Sequence, residues 1–425
     1  MLIVLLVFIV LLLLRVPIAL VLGISSLSFI ILGGSMGLLD SVPQRLFSSV
    51  ESYSLLAIPL FMLAGELMNS GGITTRLVDF SRKVAGHFRG GLAYVNVLAN
   101  TFLASILGSA TAMTAMMTRV MVPEMEKEGY KREFAAATTA SAAMLGPIFP
   151  PSMLFIIYAV GSGVSVGKMF IAGIIPGIIL AISLVLLIAF LGYKHNFPKS
   201  ERASLKEVGI GFIRVIPALA VPGIIIGGIL SGVFTATESA GVACLVAIIV
   251  GFFVYRDMKI HHIPKILTGA AMSTAAVTLL LAMAGLFGWV LAFDQVPQKL
   301  VAFMGELTTN PLVFLLLVNL FLLIVGVFLD ELAVMIILLP IFMPLVHAYG
   351  IDPIHFGVVI CLNATIGVIT PPVGAGLFIA SSVGDVKIEK LFRAVIPFIF
   401  VAIIVLALIT YVPSLTTWLP SLLMK

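Results

Sequence analysis

The chain has 425 residues, 61% of them hydrophobic and 10% charged, with a mean hydropathy of +1.23 and a net charge of +5. A water-soluble domain keeps about a quarter of its residues charged, so these values exclude a soluble enzyme and leave no soluble surface to present a basic patch to nucleic acid. Apolar stretches over 16–34, 50–69, 170–193, 209–233, 236–255, 266–293, 311–329 and 394–412 can cross or nearly cross a hydrocarbon layer of ~30 Å. None alternates as a barrel strand would, so the expected class is an all-α polytopic membrane protein.

In chain order, the run MLIVLLVFIVLLLL meets Arg15-Val16-Pro17, which reads as a break between two retained helices rather than a signal cleavage site. Residues 73–88 (ITTRLVDFSRKVAGHF) are amphipathic and basic, the pattern of an arm helix lying along the interface. Residues 1–89 are therefore expected to form first-half scaffold helices with this arm. Residues 90–193 form a first core repeat, with a re-entrant hairpin over 97–125 and a broken helix over 134–160. A polar linker over 194–207 divides the chain. Beyond it come second-half scaffold helices and arm (208–310), a second core repeat (311–397; hairpin 311–347, broken helix 354–382) and a C-terminal helix (398–425). Basic residues collect in short polar connections, including Arg82, Lys83 and Arg89, Lys199, Arg202 and Lys206, and Arg256, Lys259 and Lys265, the loop bias that orients membrane proteins. Cys244 and Cys361 lie far apart in apolar segments and read as small core residues.

The division into repeats rests on a shift of 221 positions. It pairs Pro150-Pro151 with Pro371-Pro372, Pro123 with Pro344, Gly129 with Gly350, Gly146 with Gly367, Gly163 with Gly384 and Pro176 with Pro397. Over 123–176 it gives 11 identities in 54 positions, mostly the Gly and Pro that dictate backbone shape. Ala64-Gly65 and Ala284-Gly285 match at nearly the same shift. A Pro-Pro pair stops a membrane helix, and interrupted backbone survives at bilayer depth only where protein buries it or a wet cavity meets it. Upstream of each break, Ser105–Met117 and Gly326–Leu338 read as tips of helical hairpins.

A helix ending inside the membrane offers carbonyl oxygens to a cation, and the next helix offers N–H groups to an anion. Two Na⁺ cages follow: one from Ser105, Gly146 and Phe149, the other from Gly326, Gly367, Thr370 and Val373. Asp330, beside Glu331, is a carboxylate at bilayer depth and so a functional candidate by its cost alone. Under the shift it takes the place of Ser109, and both are candidates for a hydrophilic solute. The bland alternative for Asp330 is a helix cap or a partner for a buried Arg. Ser152 is a third candidate, placed to donate to a carboxylate from a helix start. Glu66, Arg214 and Glu238 are expected in buried ion pairs or as caps between helices. No phosphate-cradling loop and no nucleophile–base spacing is present, which argues against ATP hydrolysis and against an enzyme.

Five motifs, IPLFMLAGELMNSGGI (58–73), GSATA (108–112), GPIFPPS (146–152), GVFTATESAGVA (232–243) and TPPVGAGLF (370–378), resemble the large membrane subunit of tripartite ATP-independent periplasmic (TRAP) transporters, most closely its sialic-acid branch. The fourth departs conservatively at Ala236, Ser239 and Gly241. The resemblance implies an elevator-type, Na⁺-driven secondary transporter of the bacterial inner membrane with two inverted repeats. It implies a small four-helix membrane subunit, here a separate chain, and a soluble periplasmic protein that delivers a small organic acid, sialic acid ahead of a C4-dicarboxylate. It places the substrate on Ser109, Ser152 and Asp330, with at least two Na⁺ ions in the cages. Competing readings are a stand-alone Na⁺/dicarboxylate symporter, a membrane scaffold or receptor without a transport cycle, and, remotely, an intramembrane hydrolase.

Overall fold

The computed structural model describes residues 2–14, 16–34, 36–194, 197–199 and 202–424. Arg15 of the expected N-terminal break, and 195–196 and 200–201 of the expected linker, lie outside them. Among the described residues there is no strand. In lipid, a helix satisfies its own backbone groups, which a lone strand cannot do.

The first half runs through α1 (Leu2–Leu13), α2 (Ile18–Leu32), α3 (Val42–Ser48), α4 (Ala57–Ser70) and α5 (Ile73–Ala85). It continues with α6 (Gly91–Leu107), α7 (Ala110–Lys127), α8 (Arg132–Ala142), α9 (Met153–Ser162) and α10 (Val166–Lys194). The second half holds α11 (Leu205–Leu230), α12 (Ala236–Ile249), α13 (Ile263–Phe293), α14 (Val296–Leu307) and α15 (Pro311–Val325). It closes with α16 (Glu331–Ala348), α17 (Pro353–Val368), α18 (Ala375–Gly384), α19 (Ile388–Tyr411) and α20 (Ser414–Leu423). Among the described residues seven helices are long and apolar enough to cross a membrane, or eight if α14 and α15, which meet at 118°, count as one bent span. The chain is a multi-pass membrane protein.

Both halves run hairpin, interrupted helix, long helix: α6–α7, α8–α9 and α10 in one, α15–α16, α17–α18 and α19 in the other. Their contacts are crossed. The α7 helix packs on α18 and α16 on α9, while α8 packs on α18 and α17 on α9. Arg132 at the start of α8 donates through Nε to the Gly384 carbonyl at 2.6 Å, and the Tyr158 hydroxyl of α9 donates to the Pro353 carbonyl at the start of α17. Buried asparagines add directional ties in a medium where apolar contact alone gives little preference between partners. Asn96 of α6 donates to Thr139 Oγ1 of α8 at 2.7 Å, and Asn319 of α15 donates to Thr410 Oγ1 of α19 at 2.9 Å. Asn363 of α17 in turn donates to Asn319 Oδ1 at 2.8 Å.

The helix expected over 73–88 is α5, which buries Ile73, Leu77 and Ala85 and keeps its basic side outward. Arg76 on it pairs with Asp257 and lies 4.0 Å over the Tyr255 ring. Of the ion pairs or caps expected for three isolated charges, Glu238 forms a cap, and among the described residues none of the three is in an ion pair. Glu238 and Thr235 close a capping box at the start of α12, exposed rather than buried between helices. Arg214 is exposed on α11, and Glu66 on α4 faces a cavity described below. Glu238 has a local backbone partner, and a buried charge pair would bear a desolvation cost of several kcal/mol per ion.

Candidate functional site

The first hairpin turns in two residues. Leu107 ends α6, Gly108 turns with φ +59°, and Ser109 caps α7 by accepting from the Ala112 amide at 3.5 Å. Gly108 is needed for that left-handed turn and for proximity, because a Cβ there would lie 3.0 Å from the Met153 amide nitrogen. A Cβ on Gly146 would lie 3.3 Å from the Ser109 carbonyl carbon. The tip of the first hairpin is thus pressed onto the first break.

That break begins where α8 tightens into a short turn over Ala143–Leu145. The Phe149 amide then reaches back to the Leu145 carbonyl at 2.8 Å, and Pro147 and the Pro150-Pro151 pair have no amide hydrogen to give. Ser152 restarts the chain as cap of α9: its hydroxyl donates to the Pro147 carbonyl and accepts from the Phe155 amide at 3.3 Å. It is fully buried, with its hydroxyl committed to backbone on both sides of the break. Ser105, one turn before the first tip, is buried and donates to the Phe102 carbonyl at 2.7 Å.

The second hairpin turns more widely, through 326–330. Asp330 caps α16, its Oδ2 accepting from the Leu332 amide at 3.3 Å, so the cap expected as the bland alternative is present. Here the contact between tip and break is backbone on backbone. A Cβ on Gly367 would lie 2.5 Å from the Gly326 carbonyl oxygen, and the Gly374 amide donates to the Val327 carbonyl at 3.2 Å. Thr370 turns its hydroxyl to the Ile366 carbonyl at 2.7 Å, while Val373 is exposed on the far side of the prolines. Both breaks share a cis bond, at Pro150-Pro151 and at Pro371-Pro372. The structure therefore brings Gly326 together with Gly367, and Gly108–Ser109 together with Gly146 and Met153. Each junction gathers helix-end carbonyls and a hydroxyl, a donor set suited to a hard monovalent cation.

Glu331 links the two junctions. From the first turn of α16 its Oε1 accepts from the Ala110 amide at 3.1 Å and from the Ser109 hydroxyl at 3.4 Å, both at the start of α7. Ala110 and Glu331 are partners under the 221-residue shift, so equivalent points of the two halves touch. Sequence reasoning passed over Glu331 in favour of its neighbour Asp330. The signal was present, because a helix at this position sends its first two residues in different directions.

Beside Ser109 lies a cavity of about 230 Å³ between the hairpin tips and the helices α4 and α13. Leu107, Met153 and Leu332 form its floor, and Glu66 and Ser273 face them from the other side. Glu66 also lines a larger cavity of about 760 Å³ with Lys265 and His262. Of the three substrate candidates, Ser109 lines the smaller cavity, Asp330 is half-buried at the second tip, and Ser152, fully buried, lies outside the cavity lining.

Two junctions of interrupted helix and hairpin are thus joined through Glu331, with a cavity beside the first. A profile described as the tripartite ATP-independent periplasmic transporter, DctM component, matches residues 5–415. The chain belongs to this family. Similar proteins include the sialic acid TRAP large permease SiaM of Vibrio cholerae, 38% identical, covering 93% of both chains. The C4-dicarboxylate large permease DctM of Pseudomonas aeruginosa is 39% identical, over 90% of this chain and 89% of that protein. The 2,3-diketo-L-gulonate large permease YiaN of Escherichia coli is 40% identical, over 88% of both. Among solved structures, the Alcanivorax borkumensis YdaH transporter superposes with a TM-score of 0.69 at 15% identity, covering 98% of this chain and 99% of that one, and so shares the fold. A large permease of this family works with a small membrane subunit and a periplasmic binding protein. The solutes named for its relatives differ, so the site has to define the solute.

Proposed function

We propose that this large permease is the translocating subunit of a Na⁺-coupled importer for a small organic acid, with sialic acid ahead of a C4-dicarboxylate. The observation that carries the reading is the packing of each hairpin tip on its own break, the two joined by Glu331, with a cavity lined by Ser109 beside the first. Ser109 and Asp330 contact the solute, and Ser152 holds the start of α9 in place. One Na⁺ is held by carbonyls around Ser105, Gly146 and Phe149. A second is held around Gly326, Gly367, Thr370 and Val373. Carbonyls and hydroxyls suffice for such an ion because its charge is met by helix C-terminal ends.

In the same reading 90–193 and 311–397 move as an elevator core, as inverted repeats, against scaffold helices from 1–89 and 208–310. The membrane is the bacterial inner membrane, and the solute arrives on a periplasmic binding protein. The small four-helix subunit is a separate chain, as supported by near full-length matches to relatives named as large permeases; a relative named as a DctMQ permease aligns over 63% of its own length.

The test is uptake by proteoliposomes holding the large and small subunits, with labelled sialic acid or succinate, with and without the soluble partner. Uptake that requires both an inward Na⁺ gradient and the soluble partner is the expected result. Uptake without the soluble partner would favour the stand-alone symporter, and uptake unchanged when K⁺ replaces Na⁺ would remove the coupling.

A further inference from the structure

Four cavities stand in a row along the seam where α4 and α13 face α9 and α16. Tyr53–Ser70, which contains α4, is one of the stretches long and apolar enough to cross the membrane. The cavity of about 760 Å³ takes Glu66, Asn69 and Ser70 at one end of it. A cavity of about 560 Å³ takes Ser52, Tyr53 and Ser54 at the other end, so these two lie toward opposite faces. Between them are the cavity beside Ser109 and one of about 340 Å³. Helix α13 passes the row in the same order, with Lys265 in the first cavity, Ser273 in the second and Gly285 in the third. Neighbouring cavities share lining residues at the two outer steps, Glu66 at one and Ser52 with Val160 at the other. At the central step, among the described residues, they share none.

Three helices cross that central step, and each gives one apolar side chain to either side, one turn apart. They are Val277 and Leu281 of α13, Met153 and Ile157 of α9, and Leu332 and Ile336 of α16. Val277, Ile157 and Ile336 are buried. The helices are pressed together just beyond: a Cβ on Gly288 of α13 would lie 3.2 Å from Pro340 Cγ of α16, and one on Gly161 of α9 would collide with Leu339. Polar groups stand on both sides, Glu66, Ser109 and Ser273 on one and Ser48, Ser49 and Ser52 on the other. We propose that these six apolar side chains form a collar that is the permeability seal of the subunit, closing a path for water and small cations that otherwise follows the seam from face to face. An apolar constriction excludes ions because water does not wet it, and an ion there loses its hydration shell without replacement. Glu66 is the one ionisable side chain lining the two central cavities, so the approach to the collar favours cations over anions. The seal goes beyond the organic-acid reading and holds for whichever solute the subunit carries.

The experiment measures passive Na⁺ and Cl⁻ entry into proteoliposomes holding the large and small subunits, with entrapped ion-sensitive dyes and with no organic acid or soluble partner present. The chains compared are the wild type, Leu281→Ser, Val277→Thr and, as a control on the same helix, Leu279→Ser, whose side chain is exposed at the outer surface. The wild type should leak no faster than protein-free vesicles. Leu281→Ser, which replaces a collar side chain with a small hydroxyl, should raise Na⁺ entry about tenfold, the scale of one leucine-sized apolar barrier. Val277→Thr keeps the shape and adds only a hydroxyl, so a rise of about threefold is expected. In both, Cl⁻ entry should rise less than Na⁺ entry, and Glu66→Gln added to Leu281→Ser should bring the two closer together. Leu279→Ser should leave both at the wild-type level.

The proposal is overturned if neither collar variant that elutes as a monodisperse peak leaks faster than the wild type. It is equally overturned if Leu279→Ser leaks as fast as they do, since the cause is then general loosening and not loss of a seal. A Cl⁻ leak as large as the Na⁺ leak in Leu281→Ser removes the cation path. Should Leu281→Ser fail to fold, the same-shaped Val277→Thr decides alone, and no rise there overturns the proposal. Because no organic acid is present, these outcomes are independent of the solute-uptake result, which tests the functional reading separately.

Discussion

The two hairpin tips follow one plan with unlike chemistry. The first turns in two residues, Gly108 and Ser109, and carries no charge. The second takes five, 326–330, and supplies both Asp330 and Glu331. Their packing also differs. Gly146 of the first break would meet a sulfur, Met113 Sδ, at 2.5 Å if it carried a Cβ, whereas Gly367 of the second would meet the Gly326 backbone at that distance. A side-chain end can move aside, and a backbone carbonyl inside a packed turn cannot. The halves thus share a backbone, while rigidity and charge have been concentrated in the second.

The most damaging way to probe this difference is Gly367→Val. It should cost about 3 kcal/mol or more through overpacking, seen as loss of the monodisperse peak in detergent size-exclusion chromatography. Next come the polar groups of the tips. Asp330→Ala and Ser109→Ala should each abolish Na⁺-driven uptake while leaving membrane insertion intact, checked by transport assay and membrane immunoblot. Normal uptake by both would sink the site assignment. Asp330→Asn refines the same point, since Asn caps a helix about as well as Asp does. Its thermal stability should stay close to wild type, so a loss of uptake there reflects the missing charge and not the missing cap. The smallest effect is expected from Gly146→Ala, about 1 kcal/mol as Met113 shifts, readable as a fall of a few degrees in Tm. If Gly146→Ala proves as harmful as Gly367→Ala, the two junctions are equally rigid and the contrast is lost.

Much of this layout could be read from the residues. The Pro-Pro pairs announce both breaks because proline leaves the backbone no alternative, and residues 97–125 and 311–347 fall within the helix pairs α6–α7 and α15–α16. What escaped depends on contacts between segments hundreds of residues apart. Asp330 stood out as a charge in lipid, but only the packing of α16 on the start of α7 shows that it is Glu331 that crosses to Ala110. Asn319 is a lone amide in an apolar run and Asn96 is paired only with Asn100 one turn on, a signal for an interhelical bond that charge alone does not give. Ser152 was legible as a helix start. The commitment of its hydroxyl to Pro147 depends on the three-dimensional path of the break.

The crossed packing of the two halves also bears on how the protein is made. Arg132 finds its acceptor at Gly384, 252 residues later in the chain. At synthesis rates of roughly 5–20 residues per second, about 13–50 s pass before that carbonyl exists. During this interval the break itself is already covered by the Gly108–Ser109 tip of its own half, but α7 and α8 lack α18, the helix that packs on both in the finished subunit. The first half can therefore assemble its junction alone, and the arrival of the second half closes the outer faces of α7 and α8.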